Sequence, residues 1–185
     1  MKLKSGQYLL FVRTAYMRKY KGLTEDDKPY GGGGYVEKTG KAHEEHNFLP
    51  YKNKLYGFFM MRGKLHINRL GSNNGEYANN VLVVVTAPHP QKGMVIVGWY
   101  NHAKVYKQHQ PYPNGIDRKI EGYDYNFVSD VKDCFLVPEK ERIKVFPKDF
   151  TNKMRRTFNW YAEDSEDERI VNRSLNFIQN TLVNI

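Results

Sequence analysis

Apolar positions fall mostly into short runs bounded by Gly, Pro and charged residues, and recur at helical spacing only near the C-terminal end. Gln7–Thr14, "QYLLFVRT", reads as a first strand. Ala15–Gly22, "AYMRKYKG", follows as two helical turns stopped by Gly22. A long connection with Gly and Pro punctuation then runs to Tyr51, and it contains "YGGGGY" at Tyr30–Tyr35. Connections of that length in a small domain are more often functional than idle. Lys54–Gly63 and Asn80–Ala87 read as strands, the second so uniformly apolar that it belongs at the centre of a sheet. Met94–Tyr100 and Ala103–Lys107 follow as a pair joined by a tight Asn101-His102 turn. Val131–Pro138 and Arg142–Pro147 are short strands, each ended by Pro. At the C-terminal end, Ser165-Glu166-Asp167-Glu168 has the S-x-x-E form of a capping box. Val171, Leu175, Ile178, Leu182 and Ile185 then form the apolar face of a helix packed on the sheet.

A chain of 185 residues suits one domain with its own core. The reading is a single unit over 1–185, with 109–185 as a C-terminal extension packed on it. No apolar run approaches the length that crosses a bilayer. The first apolar run alternates and meets Arg13 before a signal-peptide core forms, so the expected location is cytoplasmic. The single cysteine, Cys134, lies in "DCFLVP"; it excludes an intramolecular disulfide and reads as an inert buried thiol.

Charge changes the picture. A net charge of +9 favours a polyanionic partner, because each Lys or Arg set on a phosphate releases condensed counterions. With 14 Tyr and 10 Phe, aromatic rings are abundant enough to stack on bases. Catalytic and cofactor signatures are missing. There is no G-x-S-x-G elbow, no phosphate loop and no G-x-G-x-x-G after a strand, so no cofactor is expected, and Gly31–Gly34 reads as a flexible loop. His43-Glu44-Glu45-His46 lacks the H-E-x-x-H spacing of a metalloprotease, and a solvated polar helix explains it better than a metal pair. Asp117 with Asp130-Val131-Lys132 is the nearest approach to the acid and lysine set of a metal-dependent nuclease.

The aromatic residues carry more. Trp99 and Tyr100 end a buried strand and point to opposite faces, so one suits a core and the other a groove. Tyr106 alternates with Val105 in the next strand, and Phe48 and Tyr51 end the glycine-rich connection. Trp160 and Tyr161 follow Arg155 and Arg156. Asn47, Asn101, Asp133 and Asn159 are candidates to read the edge of a base.

The order of "YLLFVRTAYM", "NVLVVVTA", "VIVGWYNHAKVYK" and "DCFLVPEKERIKVFP" followed by "NWYAED" resembles the PUA-like superfamily, which includes the EVE, YTH and SRA-type readers of modified bases. The resemblance implies an α+β fold, built on a strongly curved, barrel-like mixed sheet with flanking helices and a C-terminal helix. It also implies a non-catalytic, specificity-giving domain that holds a flipped, modified base of DNA, in restriction or antiviral defence alongside a separate or fused nuclease. Carried over by position, the base cage would be Trp99 first, then Tyr100, Phe48, Tyr51 and Tyr35, with Tyr106 beside them. The phosphate grip would come from Arg13, Arg18, Lys19, Lys104 and Lys107, with Arg155 and Arg156. Three alternatives stay open: an RNA-binding module of the same fold, the metal-dependent nuclease, and a protein-interaction module whose aromatics form a hot-spot patch.

Overall fold

The apolar run expected at the centre of the sheet forms its middle strand. The computed structural model describes residues 2–3, 5–116, 124–144, 146–147, 157–161 and 168–183. β3 (Tyr77–His89) and β4 (Gly93–Gln110) make a long antiparallel pair, and β1 (Tyr8–Arg13) runs parallel to β3 on its other side. β2 (Lys54–Gly57), β5 (Tyr125–Asp130), β6 (Cys134–Leu136) and β7 (Asn159–Trp160) complete a seven-stranded mixed sheet. Its order is β2-β5-β4-β3-β1-β7, with β6 pairing β4 beside that path. Among the described residues no pairing joins β2 to β7, so the sheet is open. Among the described residues two α-helices accompany it, α1 (Gly34–Thr39) and α2 (Glu168–Val183). The fold is α+β.

Strand alternation sorts the apolar residues into two cores. Leu10, Val12, Val83, Val85, Val97 and Phe127 face one way, into a cluster closed by Tyr20, Phe48, Phe59 and Leu70. Leu9, Phe11, Leu82, Val84, Ile96 and Trp99 face the other way, where Ile170, Val171 and Ile178 of α2 cover them. The buried stripe of α2 passes through Ile170, Ser174, Ile178 and Thr181. This rotation leaves Leu182 at 54% exposure. Ser165, Glu166, Asp167 and Ile185 lie outside the described residues, as do Asp117, Arg155 and Arg156.

Several elements differ from their sequence reading, each for a visible reason. Residues 15–22 are not helical. The buried Asp27 carboxylate accepts the N–H groups of Arg18 and Lys19 at 2.5 and 2.8 Å, and the Tyr20 hydroxyl donates to the Ala15 carbonyl at 2.7 Å. These bonds replace those a helix would make internally. The tight turn at Asn101-His102 is absent too, and β4 passes through it as one strand. Asn80 and His102, at φ 56° and 50°, flank a register shift between β3 and β4, and their side chains share a 2.8 Å hydrogen bond. Paired irregularities of this kind bend a strand without ending it.

β2 stops at Gly57 because side chains take over the ladder. Asn47 donates to the Phe58 carbonyl and accepts its N–H, at 2.9 and 2.8 Å, and Asn126 does the same for Phe59 at 2.8 and 3.2 Å. Val131–Asp133 is a 3-10 turn that leads into the short β6. Of the strand expected over Arg142–Pro147, the described residues form only a bridge from Lys144 to Val95. Within the stretch after 109, β5 is integral to the sheet, lying between β2 and β4.

Candidate functional site

A cleft of about 240 Å³ opens where the chain leaves β1. Arg13, Thr14 and Ala15 form one wall, Gly31–Gly34 and Tyr35 the rim, and His43, Glu44, Met60 and Phe158 the rest. Two of these glycines, Gly31 and Gly32, are required by close approach. A Cβ at Gly32 would collide with Val36 and press on Ala15, and one at Gly31, where φ is +72°, would meet Pro88 at 2.5 Å. Far from being a free loop, this segment is fitted against the end of the sheet.

The cleft combines flat rings with opposite charges. Tyr35 stacks on His43 with centroids 4.4 Å apart and planes at 23°. The Arg13 and Arg62 guanidiniums lie 5.0 and 5.5 Å from the centre of the Phe158 ring, within cation–π range. Burial holds the Arg13 guanidinium below its ordinary value, with Glu44 acting against this and Arg62 adding to it. Burial, and then the charge of His109, depresses His43, which favours its neutral ring.

Glu44 is the most informative group. The residue as a whole is only partly buried, yet its carboxyl is enclosed, and one oxygen accepts the Ala15 N–H at 2.7 Å. Burial pushes this carboxyl above the usual range, opposed by the Ala15 hydrogen bond and the charge of Arg13. An acid whose folded value is raised contributes stability below its ordinary value, about 4.3, and that contribution is lost as pH rises through the folded value. Glu44→Gln keeps an acceptor for Ala15 and removes the titration. Its melting temperature, relative to the native chain, is therefore expected to rise from pH 4 to pH 8, read by thermal unfolding across that range. A constant difference would show that burial does not govern Glu44.

The remaining candidates lie elsewhere. Trp99, at 3% exposure, belongs to the α2-side core and stacks on Phe135 at 4.8 Å. Tyr100 and Phe48 are buried in the opposite core, and the Tyr100 hydroxyl donates to the Asn47 carbonyl. Trp99 is thus separated from Tyr100 and Phe48, whose rings lie 5.4 Å apart, because consecutive residues of β4 enter opposite faces of one sheet. Tyr35 lines the cleft, whereas Tyr51 packs near Gly115, with its hydroxyl on the Asn114 carbonyl at 3.0 Å. Tyr106 lies on the outer face of β4 with Lys104, whose ammonium is 5.0 Å from its ring.

Of the described members of the expected phosphate grip, Arg13 alone lines the cleft. Arg18 pairs with Glu139 at 2.6 Å and Lys19 with Asp26 at 2.9 Å, while Lys107 approaches Glu76 at 3.7 Å. Burial pushes the Cys134 thiol up to about 12, in keeping with an inert residue. Asp130 is paired with Lys54 at 2.8 Å, and among the described residues no three His, Cys, Asp or Glu gather to hold a metal.

His43-Glu44-Glu45-His46 is a run of turns, not a solvated helix, with His43 and Glu45 buried. Its density of ionisable residues beside the glycine run was the signal for the cleft. A larger groove of about 610 Å³ lies beside α2, but its ionisable groups, Glu141, Lys144 and Arg173, are exposed. Small-molecule sites favour convergent, enclosed polar groups, which marks the cleft as the candidate site. Comparison with protein-family models, curated proteins and solved structures finds no match for the chain.

Proposed function

We propose that the chain is a non-catalytic nucleic-acid-binding domain of PUA-like kind, which takes a single flipped, modified base of DNA into the cleft at the end of β1. The observation that carries this reading is the Tyr35–His43 stack set beside Glu44 and Arg13 in one cleft of about 240 Å³. That volume is below the range of about 300–1,000 Å³ typical of drug-sized ligands, and it suits one planar group. Stacking offsets the unpairing cost of a few kcal/mol, and a carboxylate beside a guanidinium matches the mixed donors and acceptors of a base edge. The +9 charge supplies attraction to phosphates. A role in restriction or antiviral defence, with a separate or fused nuclease, is proposed from the family resemblance alone.

The test is fluorescence-anisotropy titration of matched DNA duplexes, plain or carrying one methylated or hydroxymethylated base, with RNA of the same sequence alongside, at two salt concentrations. Preference for one modified DNA is expected, with affinity falling as salt rises. Tyr35→Ala should remove that preference while leaving thermal stability nearly unchanged, because Tyr35 is 43% exposed. Preference for RNA would move the reading to an RNA-binding module. Binding indifferent to modification and to Tyr35 would overturn base capture.

A further inference from the structure

The outer face of the other half of the sheet carries a feature the cleft does not use. β2, β5 and the second half of β4 bury Leu55, Phe127, Ala103 and Val105 on one side. Strand alternation sends Tyr56, Val128, Lys104 and Tyr106 to the opposite side, and the registers Tyr56↔Val128, Lys104↔Val128 and Tyr77↔Tyr106 align them across four strands. The core closed by α2 takes no described residue from β2 or β5. Among the described residues this face therefore has no helix over it.

Its rings form a chain of contacts. Tyr77 lies 6.2 Å from Tyr106, Tyr106 lies 5.6 Å from Tyr125, and Tyr125 lies 4.9 and 5.7 Å from Tyr56 and Tyr112. Tyr56 and Tyr125 are buried beneath, whereas Tyr77, Tyr106 and Tyr112 keep partly exposed rings. The Tyr125 phenol is pushed up by burial first and then by a hydrogen bond with Tyr106, which fixes the two rings together. The Lys104 ammonium lies 3.7 Å from the centre of Tyr77 and 5.0 Å from that of Tyr106. Among the described residues no ion pair involves Lys104, so its charge is met by rings and not by a carboxylate.

We propose that this face is a second nucleic-acid surface, which stacks unpaired bases of a single strand on Tyr77, Tyr106 and Tyr112 and sets Lys104 against its backbone. Aromatic platforms with adjacent cations bind single strands with little sequence preference, because every base has a stackable face. The net charge of +9 and a lysine with no acidic partner among the described residues favour a polyanion over a neutral peptide, and the flat rings favour one whose bases can stack. The site does not depend on base capture by the cleft.

The experiment uses the full chain and fluorescein-labelled oligothymidine of about 12 nucleotides, within the usual range of single-strand site sizes, with a duplex of equal length as comparison. Tyr106→Ala is expected to weaken oligothymidine binding by roughly 5-fold or more, and Lys104→Gln to reduce the slope of log affinity against log salt by about 0.7. Glu44→Gln should leave this binding unchanged. Lys104 is half-buried and makes no ion pair among the described residues, so its variant is expected to fold even if Tyr106→Ala does not, and circular dichroism checks both. Oligothymidine affinity and salt slope unchanged in both variants, or absence of oligothymidine binding by the native chain, would overturn the proposal. Equal loss in Glu44→Gln would also overturn it, because a single site would then explain both ligands.

Discussion

Arg142→Ala is expected to lower the free energy of unfolding by about 3–5 kcal/mol, read as the shift in a urea unfolding curve. Arg142 has 0% exposure, and its guanidinium donates to three carbonyls, of Val137 at 2.9 Å, Met17 at 2.7 Å and Arg18 at 2.6 Å. It also lies 5.4 Å from the centre of the Tyr16 ring. One side chain thereby joins the exit of β6 to the irregular segment after β1. Truncation leaves three acceptors without this donor, each worth about 1–3 kcal/mol when buried unsatisfied, and adds a cavity. Arg142→Lys keeps the charge but lacks the planar fork that reaches three directions at once. It should recover less than half of the loss. A shift below about 1 kcal/mol for Arg142→Ala would mean that water replaces the guanidinium at those carbonyls.

Trp99→Ala is expected to cost about 3–5 kcal/mol of stability without selective loss of base discrimination in the fraction that remains folded. The "GWY" sequence has a structural explanation residue by residue. A Cβ at Gly98 would collide with the Phe135 carbonyl oxygen and the Phe48 ring, so only glycine lets β6 pair with β4 at Gly98↔Leu136. Trp99 then fills the α2-side core against Phe135, and Tyr100 fills the other core with its hydroxyl on Asn47. Thermal unfolding and anisotropy titration on the same preparation separate stability from recognition. Trp99→Phe should retain most of the stability. Selective loss of modified-base preference in a folded Trp99→Ala protein would restore Trp99 to a binding site.

The parts of the fold legible in the sequence were those set by periodicity. Val81–Val85 is uniformly apolar because it is covered on both faces, and Val171 and Ile178 recur because α2 has one buried side. What escaped the reading was decided by single polar groups acting across long separations. Asp27 takes the amides that would have made Ala15–Gly22 helical, and Asn47 and Asn126 replace a strand at Phe58 and Phe59. Nothing in a local window distinguishes these residues from solvated ones. The same holds at the site, where Arg13 and Tyr35 read as binding residues but Gly31–Gly34, His43 and Glu44 beside them read as a free loop and a solvated helix. Glu44 reads as a surface acid until the fold encloses it, and Phe158 reaches the cleft only because β7 lies against β1.

The place of β1 in the sheet sets the order in which the protein can be made. Its neighbours are Val81–Thr86 on one side and Asn159–Trp160 on the other, so the strand leaves the ribosome long before either partner. At about 5–20 residues per second, Leu9–Val12 passes several seconds as an apolar segment with no sheet to join. Parallel pairing across such a separation also carries a high loop-closure cost before any contact rewards it. Pairing of β1 accordingly waits until Val81–Thr86 has been made, and until then its apolar run is an exposed, aggregation-prone segment.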